Sequence, residues 1–272
     1  MIGATDNLPD LGSGFAVRSE SVEAFREKGH TVVRGLASAD EVAAYRPDIE
    51  RVAADRAWEK RPLAERDTYG KAFLQACNLW QVDGAVRQFV FAHRFAEVAA
   101  QLLGVDRVRL YHDQALMKEA GGGPTPWHQD QYYWPFEGDT TVTMWMPLSD
   151  VTDEVGSMTF ASGSHRLGYL GEYAISDESE RTFRSMIERE QLPLDTHGAL
   201  AAGDATFHAG WTLHSAGPNP TGTTRPVMTV IYFADGLHVS EPKSDAQRFD
   251  LAVWLPGLEP GDLAATPTNP VL

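Results

Sequence analysis

The chain has 272 residues, 43% of them hydrophobic and 22% charged, which suits a globular protein that buries a sizeable core. Its formal net charge of -15 argues against nucleic acid and anionic membranes as partners, because both reward clusters of Lys and Arg. We therefore expect the partner to be a small molecule.

The beginning of the chain predicts neither export nor membrane insertion. Met1 to Gly14 lack the basic and apolar regions of a secretory signal, and no stretch reaches the roughly 18 apolar residues that span a bilayer. The single cysteine, Cys77, cannot form an internal disulfide and fits a reducing compartment, where we expect it to serve core packing. A cytoplasmic location is the prediction that follows.

Residues from about 15 to 106 are predicted to be mostly helical. Within them, the β-branched run 31–35 predicts a short strand, and a capping box at 38–41 predicts the start of a helix that Pro47 disturbs. Apolar residues at helical spacing predict one longer helix over residues 85–103, ended by a glycine.

The second half of the chain changes from helical to alternating periodicity, with turn residues at short intervals. Candidate strands are Arg107 to Lys118, Thr141 to Pro147, Ser157 to Phe160, Asp204 to His208 and Pro226 to Ala234. Many short strands predict a mainly β fold with flanking helices, namely a sandwich or jelly roll. We expect one domain over 1–272, with the helical part packed on a β core at about 107–240. A surface helix or lid is predicted at 169–194 and a Pro-rich tail at 255–272.

The most informative segment contains His128 and Asp130. In an extended chain, residues two apart point to the same side, so this imidazole and this carboxylate could bind one ion. Two ligands make half a site, and His214 is the best third candidate because it follows a predicted strand across a short turn. His208 is the rival. It is disfavoured because Arg225 follows His214 at a distance along the chain that suits binding of a carboxylate near the metal.

Two imidazoles and one carboxylate leave three positions of an octahedral ion open. This arrangement is associated with non-haem iron(II) oxygenases, whereas structural zinc sites are closed. Open positions indicate chemistry at the metal. Because a lone pair of ligands is a weak pattern, the order of the surrounding motifs also matters.

A series of motifs occurs in a fixed order along the chain from Phe73 to Arg225. In chain order they are Phe73-Leu74-Gln75, Asn78-Leu79-Trp80, Lys118 before a glycine run, Trp127-His128-Gln129-Asp130, Trp145-Met146-Pro147-Leu148, Gly156, Ser162-Gly163-Ser164-His165, His214 and Arg225. Together they span well over half the chain. In this order they resemble the phytanoyl-CoA dioxygenase family, a branch of the iron(II)/2-oxoglutarate oxygenases.

The resemblance implies a double-stranded β-helix, a cupin-like jelly roll, with an iron bound by His128, Asp130 and His214. It also implies iron(II), 2-oxoglutarate and O2 as cofactor and co-substrates. Arg225 is expected to bind the distal carboxylate of 2-oxoglutarate, because its planar fork makes a bidentate, charge-assisted pair. Further candidates for contact with the co-substrate are Gln114, Gln129, Trp145 and Ser215.

Aromatic and polar residues near these positions are expected to form the substrate pocket. The predicted pocket residues are Gln75, Asn78, Trp80, Trp127, Tyr132 and Trp134. His165 is expected to be a structural hydrogen-bonding residue. The ammonium of Lys118 is expected to be solvated, so Lys118 is left out of the predicted site.

The implied activity is a dioxygenase that hydroxylates an unactivated C–H bond of a small to medium-sized metabolite and releases succinate and carbon dioxide. Because Asp130 stands where an Ala or Gly would vacate a position for halide, oxygenation and not halogenation is predicted. Two alternatives stay open. One is a cupin-like isomerase or hydrolase that needs no 2-oxoglutarate, and the other is a non-catalytic protein that binds iron or a metabolite.

Overall fold

The computed structural model describes residues 7–152 and 154–272, so part of the segment Met1 to Gly14 lies outside it. The strands are β1 (His30–Val33), β2 (Leu74–Cys77), β3 (Val108–Lys118), β4 (Thr125–His128), β5 (Thr141–Pro147), β6 (Met158–Ala161), β7 (Leu194–Asp195), β8 (Ala205–Ala209), β9 (His214–Ala216) and β10 (Arg225–Ala234). The helices are α1 (Ser19–Lys28), α2 (Ala39–Arg56), α3 (Thr68–Ala72), α4 (Gly84–Val90), α5 (His93–Leu103), α6 (Asp177–Arg189) and α7 (Asp245–Trp254). None of these helices is long and apolar enough to cross a membrane.

The strands form two antiparallel sheets. The order is β1-β8-β5-β10-β3-β2 in the larger sheet and β4-β9-β6-β7 in the smaller one. Neighbours in space are often distant in sequence; β10, for example, pairs with both β3 and β5. The predicted jelly roll with flanking helices is confirmed.

The larger sheet separates an apolar core from a cavity, and strand β5 contributes side chains to each of them. Met144 and Met146 belong to the core beneath the helices, whereas Thr143 and Trp145 line the cavity on the other face. This follows because successive side chains of a strand point to opposite faces. The same core contains residues of α2, α4 and α5 together with residues of β3, β8 and β10. We therefore propose that the helical part and the sheets form one domain.

The segment predicted as one helix over residues 85–103 is divided into α4 and α5. Ala92 adopts a non-helical conformation between them, with φ -57° and ψ 115°. The break brings the rings of Phe89 and Phe95 to a centroid distance of 5.2 Å in the core. In one straight helix, residues six apart would lie on different faces. The prediction of a single helix is wrong because the packing of the core outweighs the local periodicity.

Pro47 lies inside α2 without ending it. The capping box that begins this helix is present, since the Ser38 hydroxyl accepts a hydrogen bond from the Glu41 backbone N–H at 3.1 Å. Proline removes one backbone hydrogen bond, but Tyr45 and Ile49 on either side of it are fully buried in the core. Burial of this face keeps the helix continuous through the proline.

The segments at the end of the chain close one side of the fold. Helix α7, which the sequence analysis did not predict, begins after the cap residue Ser244 and contributes to the cavity wall. The Pro-rich tail is anchored on β3 by the buried residue Asn269, whose side-chain amide donates to the backbone carbonyls of Leu110 and Tyr111 at 3.1 Å each. The insertion at 169–194 contains α6, which packs against β4.

Candidate active site

The two predicted histidine ligands lie opposite each other on neighbouring strands. His128 on β4 is the register partner of His214 on β9, and their ring centroids are 4.0 Å apart. Asp130 follows β4 in a tight helical turn, not in the extended conformation that the sequence suggested. The turn still brings Oδ1 of Asp130 to 3.6 Å from Nε2 of each histidine. Three side chains therefore converge on one point.

In both histidines, Nδ1, the ring nitrogen that points away from Asp130, is held by a backbone carbonyl. Nδ1 of His128 donates to the carbonyl of Pro126 at 2.8 Å, and Nδ1 of His214 donates to the carbonyl of Thr212 at 2.9 Å. A carbonyl can only accept, so each Nδ1 carries the proton and each Nε2 is left with a lone pair. Burial lowers the pKa of both histidines, which keeps these imidazoles neutral.

The carboxylate of Asp130 is oriented by two further side chains. Its Oδ2 atom accepts hydrogen bonds from the Thr143 hydroxyl at 2.8 Å and from Nε2 of His208 at 3.0 Å. Burial opposes ionisation of Asp130, but the hydrogen bond from His208 favours the carboxylate form, and the pKa of Asp130 lies below its ordinary value. His208 is therefore a partner of the carboxylate, and Oδ1 remains free toward the two histidines.

The three free donor atoms fit a divalent metal ion. Oδ1 of Asp130 lies 3.6 Å from each Nε2 atom, within the roughly 4.2 Å that two bonds of about 2.1 Å can span, and all three donors lie within 4.8 Å of one another. The donors are two neutral imidazoles and one carboxylate, and the atoms of these groups that do not face the metal position are held by hydrogen bonds. This combination is typical of an open site for iron. The arrangement can bind a metal through one face and leave the opposite face accessible from the cavity.

A second group of possible metal ligands lies outside the cavity. His30 and His197 bring two ring nitrogens within 2.9 Å of each other, and Asp195 is beside them. These nitrogens share a hydrogen bond, and the ammonium of Lys28 lies 3.2 Å from the Asp195 carboxylate. Because the atoms that an ion would need already have partners, this group is a hydrogen-bonded network of the fold.

Arg225 lies in the same cavity as the three converging side chains, and the cavity has a volume of about 290 Å³. Its side chain is buried, its guanidinium stacks 5.1 Å from the ring centroid of Trp145, and one Nη atom donates to the carbonyl of Gly156. Its Nε atom has no hydrogen-bond partner within the described residues. Burial lowers the pKa of Arg225. No acidic side chain in the described ranges 7–152 and 154–272 pairs with the guanidinium, so it lacks a counter-charge there, as a binding site for a carboxylate requires.

Lys118 is a second buried cation near this end of the cavity, and the expectation that its ammonium is solvated is wrong. Lys118 is fully buried and opposite Arg225 in the β3–β10 register, and its Nζ atom donates to the carbonyl of Gly123 at 2.6 Å. Burial and the charge of Arg225 lower the pKa of Lys118 to about 7. Sequence reasoning missed it because Lys is usually solvated, although its position at the end of a buried strand was a usable signal.

Both cations lie against Gly156, which has a φ of +60°. A Cβ atom at this position would lie 2.8 Å from Cδ of Lys118 and 3.0 Å from an Nη atom of Arg225. Glycine is therefore required both by the backbone conformation and by the space that the two cations occupy.

The other predicted contact residues divide into two groups. Those that line the cavity are Gln75, Gln114, Trp134, Trp145 and Ser215. Those that the structure does not place in its wall are Asn78, Trp80, Gln129, Trp127 and Tyr132.

Hydrogen bonds and packing explain why Gln129 and Trp127 do not face the cavity. The Gln129 amide donates to the carbonyls of Gly168 and Trp211 at 2.9 and 2.7 Å, so it supports neighbouring loops. Trp127 points away from its neighbour His128 and packs against α6 residues such as Phe183. Adjacent strand residues face opposite sides, so a ligand at 128 turns both neighbours away from the metal.

Three further predicted residues lie behind the cavity wall. Trp80 stacks beneath the guanidinium of Arg87 at 5.0 Å, and Asn78 adopts a left-handed conformation at the start of the same turn. Tyr132 is buried beside Tyr133, and Tyr133 is the residue that reaches the cavity. The structure thus places these three residues outside the cavity wall, contrary to the prediction that they form the pocket.

The chain matches known proteins over most of its length. A family model described as phytanoyl-CoA dioxygenase matches residues 25–227. A probable alpha-ketoglutarate-dependent hypophosphite dioxygenase of Stutzerimonas stutzeri is 26% identical over 229 residues, which cover 79% of this chain and 78% of the relative. An ectoine dioxygenase of Streptomyces anulatus is 26% identical over 243 residues, 81% of this chain and 80% of the relative.

The chain is also similar in fold to solved structures of iron- and alpha-ketoglutarate-dependent enzymes. The epimerase SnoN in complex with Fe3+, alpha ketoglutarate and nogalamycin RO is similar with a TM-score of 0.76 and 28% identity, covering 93% of this chain and 97% of SnoN. The carbocyclase SnoK, at 24% identity, shares the fold with a TM-score of 0.75 over 94% of this chain and 96% of SnoK.

Proposed function

Because the chain belongs to the phytanoyl-CoA dioxygenase family, and is thus an iron- and 2-oxoglutarate-dependent dioxygenase, we propose that it hydroxylates a C–H bond of a small to medium-sized metabolite. In this proposal His128, Asp130 and His214 hold the iron. The reaction converts the substrate, 2-oxoglutarate and O2 to the hydroxylated substrate, succinate and carbon dioxide, with one oxygen atom of O2 entering succinate and the other entering the product.

One observation carries the assignment of the site. Three supported donor atoms face the same cavity as Arg225, a buried guanidinium that has no acidic partner among the described residues. Neither a structural metal site nor a plain metal sensor needs such an arginine at the cavity wall. A dicarboxylate that binds the metal at one end and the guanidinium at the other needs both the three metal donors and the buried arginine.

The bound iron, with 2-oxoglutarate and O2, supplies the oxidising chemistry, and the protein supplies position and environment. Arg225, supported by Lys118 behind it, binds the distal carboxylate in a part of the cavity where water is scarce. Gln114 is oriented by Gln75, whose Nε2 donates to Oε1 of Gln114 at 3.1 Å, so that the Gln114 amide N–H groups are left for a ligand. The aromatic wall excludes water and holds the carbon to be oxidised.

The proposal is tested by measuring succinate release. Purified protein with iron(II) and 2-oxoglutarate is screened against candidate metabolites, and a true substrate is expected to stimulate succinate formation and to gain one oxygen atom. Without O2, the protein with iron(II) and 2-oxoglutarate is expected to show a visible charge-transfer band. Activity with zinc or manganese and no succinate would favour an isomerase or hydrolase instead.

Product analysis also decides between outcomes of C–H oxidation. The similar solved structures include an epimerase and a carbocyclase, so each product is examined for epimerisation and ring closure as well as hydroxylation. With Asp130 in place, we expect no chloride or bromide in the product even at high halide concentration. A halogenated product would contradict the assignment of Asp130 as a ligand.

Replacing Thr143 by valine is expected to weaken iron binding about tenfold, because it removes a donor that orients the Asp130 carboxylate. At saturating iron(II), activity is expected to recover. The dissociation constant is measured by anaerobic titration. Thr206→Val is the matched control, since the Thr206 hydroxyl is buried without a hydrogen-bond partner in the described structure. Equal affinities in the two variants would contradict the role of Thr143.

A further inference from the structure

The cavity has a basic end and an acidic end. Arg225 pairs with Lys118 in the β3–β10 register, while His112 lies six residues before Lys118 on the same strand, about 20 Å away at roughly 3.4 Å per residue. Asp250 belongs to the His112 end, because it accepts a hydrogen bond from the neighbouring Tyr111 hydroxyl at 3.1 Å. The 2-oxoglutarate site and Asp250 are thus at opposite ends.

Asp250 is a carboxylate in the cavity wall that no cation among residues 7–152 and 154–272 balances. It is 6% exposed, and within this part of the chain its carboxylate accepts hydrogen bonds from the side chains of Tyr111 and Trp254. Burial outweighs these two donors and raises the pKa of Asp250 to about 7. A buried carboxylate of this kind is stabilised when a cation binds beside it.

Aromatic side chains surround this carboxylate. Helix α7 presents Ala246, Phe249, Asp250 and Trp254 to the cavity, at the spacing of one helix face. Tyr133 lines the same cavity, and burial, with a smaller contribution from the charge of Asp250, raises the pKa of its phenol. Aromatic faces around a carboxylate are the usual recognition site for an organic cation, because the negative face of each ring attracts positive charge.

Exposed aromatic side chains also line the cavity where it opens to solvent. Trp58 is 58% exposed, Phe249 is 53% exposed and Tyr69 is 37% exposed, and all three line the cavity. Large exposed aromatic residues grouped at an opening mark a surface that binds an apolar ligand. They extend the aromatic walls beyond the small space next to the metal, so the substrate has room for a ring system.

We propose that Asp250 and the aromatic residues around it bind a basic nitrogen of the substrate, so that the substrate is an organic amine with an apolar or aromatic body. The inference rests on the proposed function, since it assigns the end of the cavity that 2-oxoglutarate leaves free. Asp250 also repels a dicarboxylate, which keeps the co-substrate at Arg225. The net charge of -15 further favours approach of a cation.

The test compares two probes of equal size and different charge. Wild-type protein loaded with iron(II) and 2-oxoglutarate, without O2, is titrated with 2-phenylethylammonium and with 2-phenylethanol in a calorimeter. We expect the ammonium probe to bind at least about tenfold more tightly. Equal affinities, or no measurable binding of the ammonium probe, would overturn the proposal.

Two variants locate the preference. Asp250→Asn keeps an acceptor for the Tyr111 hydroxyl and is expected to abolish the preference for the ammonium probe. Asp245→Asn removes the same charge from an exposed position of α7, where Asp245 pairs with Arg248, and is expected to keep it. If Asp250→Asn still binds the ammonium probe more tightly than the alcohol, another group recognises the cation and the role of Asp250 is refuted.

The charge-transfer band separates this inference from the proposed function. All three proteins are expected to show the band with iron(II) and 2-oxoglutarate, because Asp250 is neither one of the proposed metal ligands nor a hydrogen-bond partner of one. If the band is present and the ammonium preference is absent, the amine inference alone fails. If the band is absent from wild-type protein, the proposed function fails first.

Discussion

Replacing His214 by alanine is expected to abolish iron binding at working concentrations and, with it, all succinate release. The variant removes one of the three proposed protein ligands, and we expect this to cost more than the roughly 10- to 100-fold loss that follows removal of a side chain that only supports a ligand. Iron content after anaerobic loading and desalting, together with a succinate assay, measures both effects.

Two comparisons make the result specific. His93→Ala changes an exposed histidine at the start of α5 and is expected to retain iron and activity. His208→Ala is expected to weaken iron binding only moderately, because His208 contacts Asp130 through Oδ2, the oxygen that faces away from the metal position. If His208→Ala lost all iron while His214→Ala retained it, His208 would have to replace His214 as the third ligand.

Replacing Arg225 by alanine is expected to raise the KM for 2-oxoglutarate more than about 100-fold while iron binding persists. A bidentate pair with a carboxylate in a buried site contributes two charge-assisted hydrogen bonds, worth about 3 kcal/mol or more together. The measurements are the KM for 2-oxoglutarate and the dissociation constant from the charge-transfer band. Arg225→Lys is expected to recover part of the affinity, because it restores charge without the planar fork.

Arg87→Ala is the matched control for this prediction. Arg87 also stacks on aromatic rings, 4.3 Å from the centroid of Phe91, but it lies outside the cavity. Loss of a stacked arginine there is expected to leave the KM for 2-oxoglutarate unchanged. Unchanged affinity in Arg225→Ala would transfer the carboxylate role to Lys118, the other buried cation at this end.

The local pattern of the sequence predicted the long strands well. β5 occupies Thr141–Pro147 as predicted, and β10 begins one residue before the predicted Pro226. In contrast, β4 and β9, which carry the two histidines, were not predicted as strands. A strand of three or four residues contains too little alternation to detect, and it exists because its register partner holds it in place.

Periodicity and motif spacing along the chain were enough to establish the fold class, the family and the order of ligand-type residues, because all three are local or linear properties. Which side chains face the cavity depends instead on the folded arrangement. Gln129 is turned away by loop carbonyls, Lys118 is buried beside Arg225, and α7 brings Asp250 to the cavity from the far end of the chain. Such placements arise from contacts between residues distant in sequence, and no local pattern encodes them.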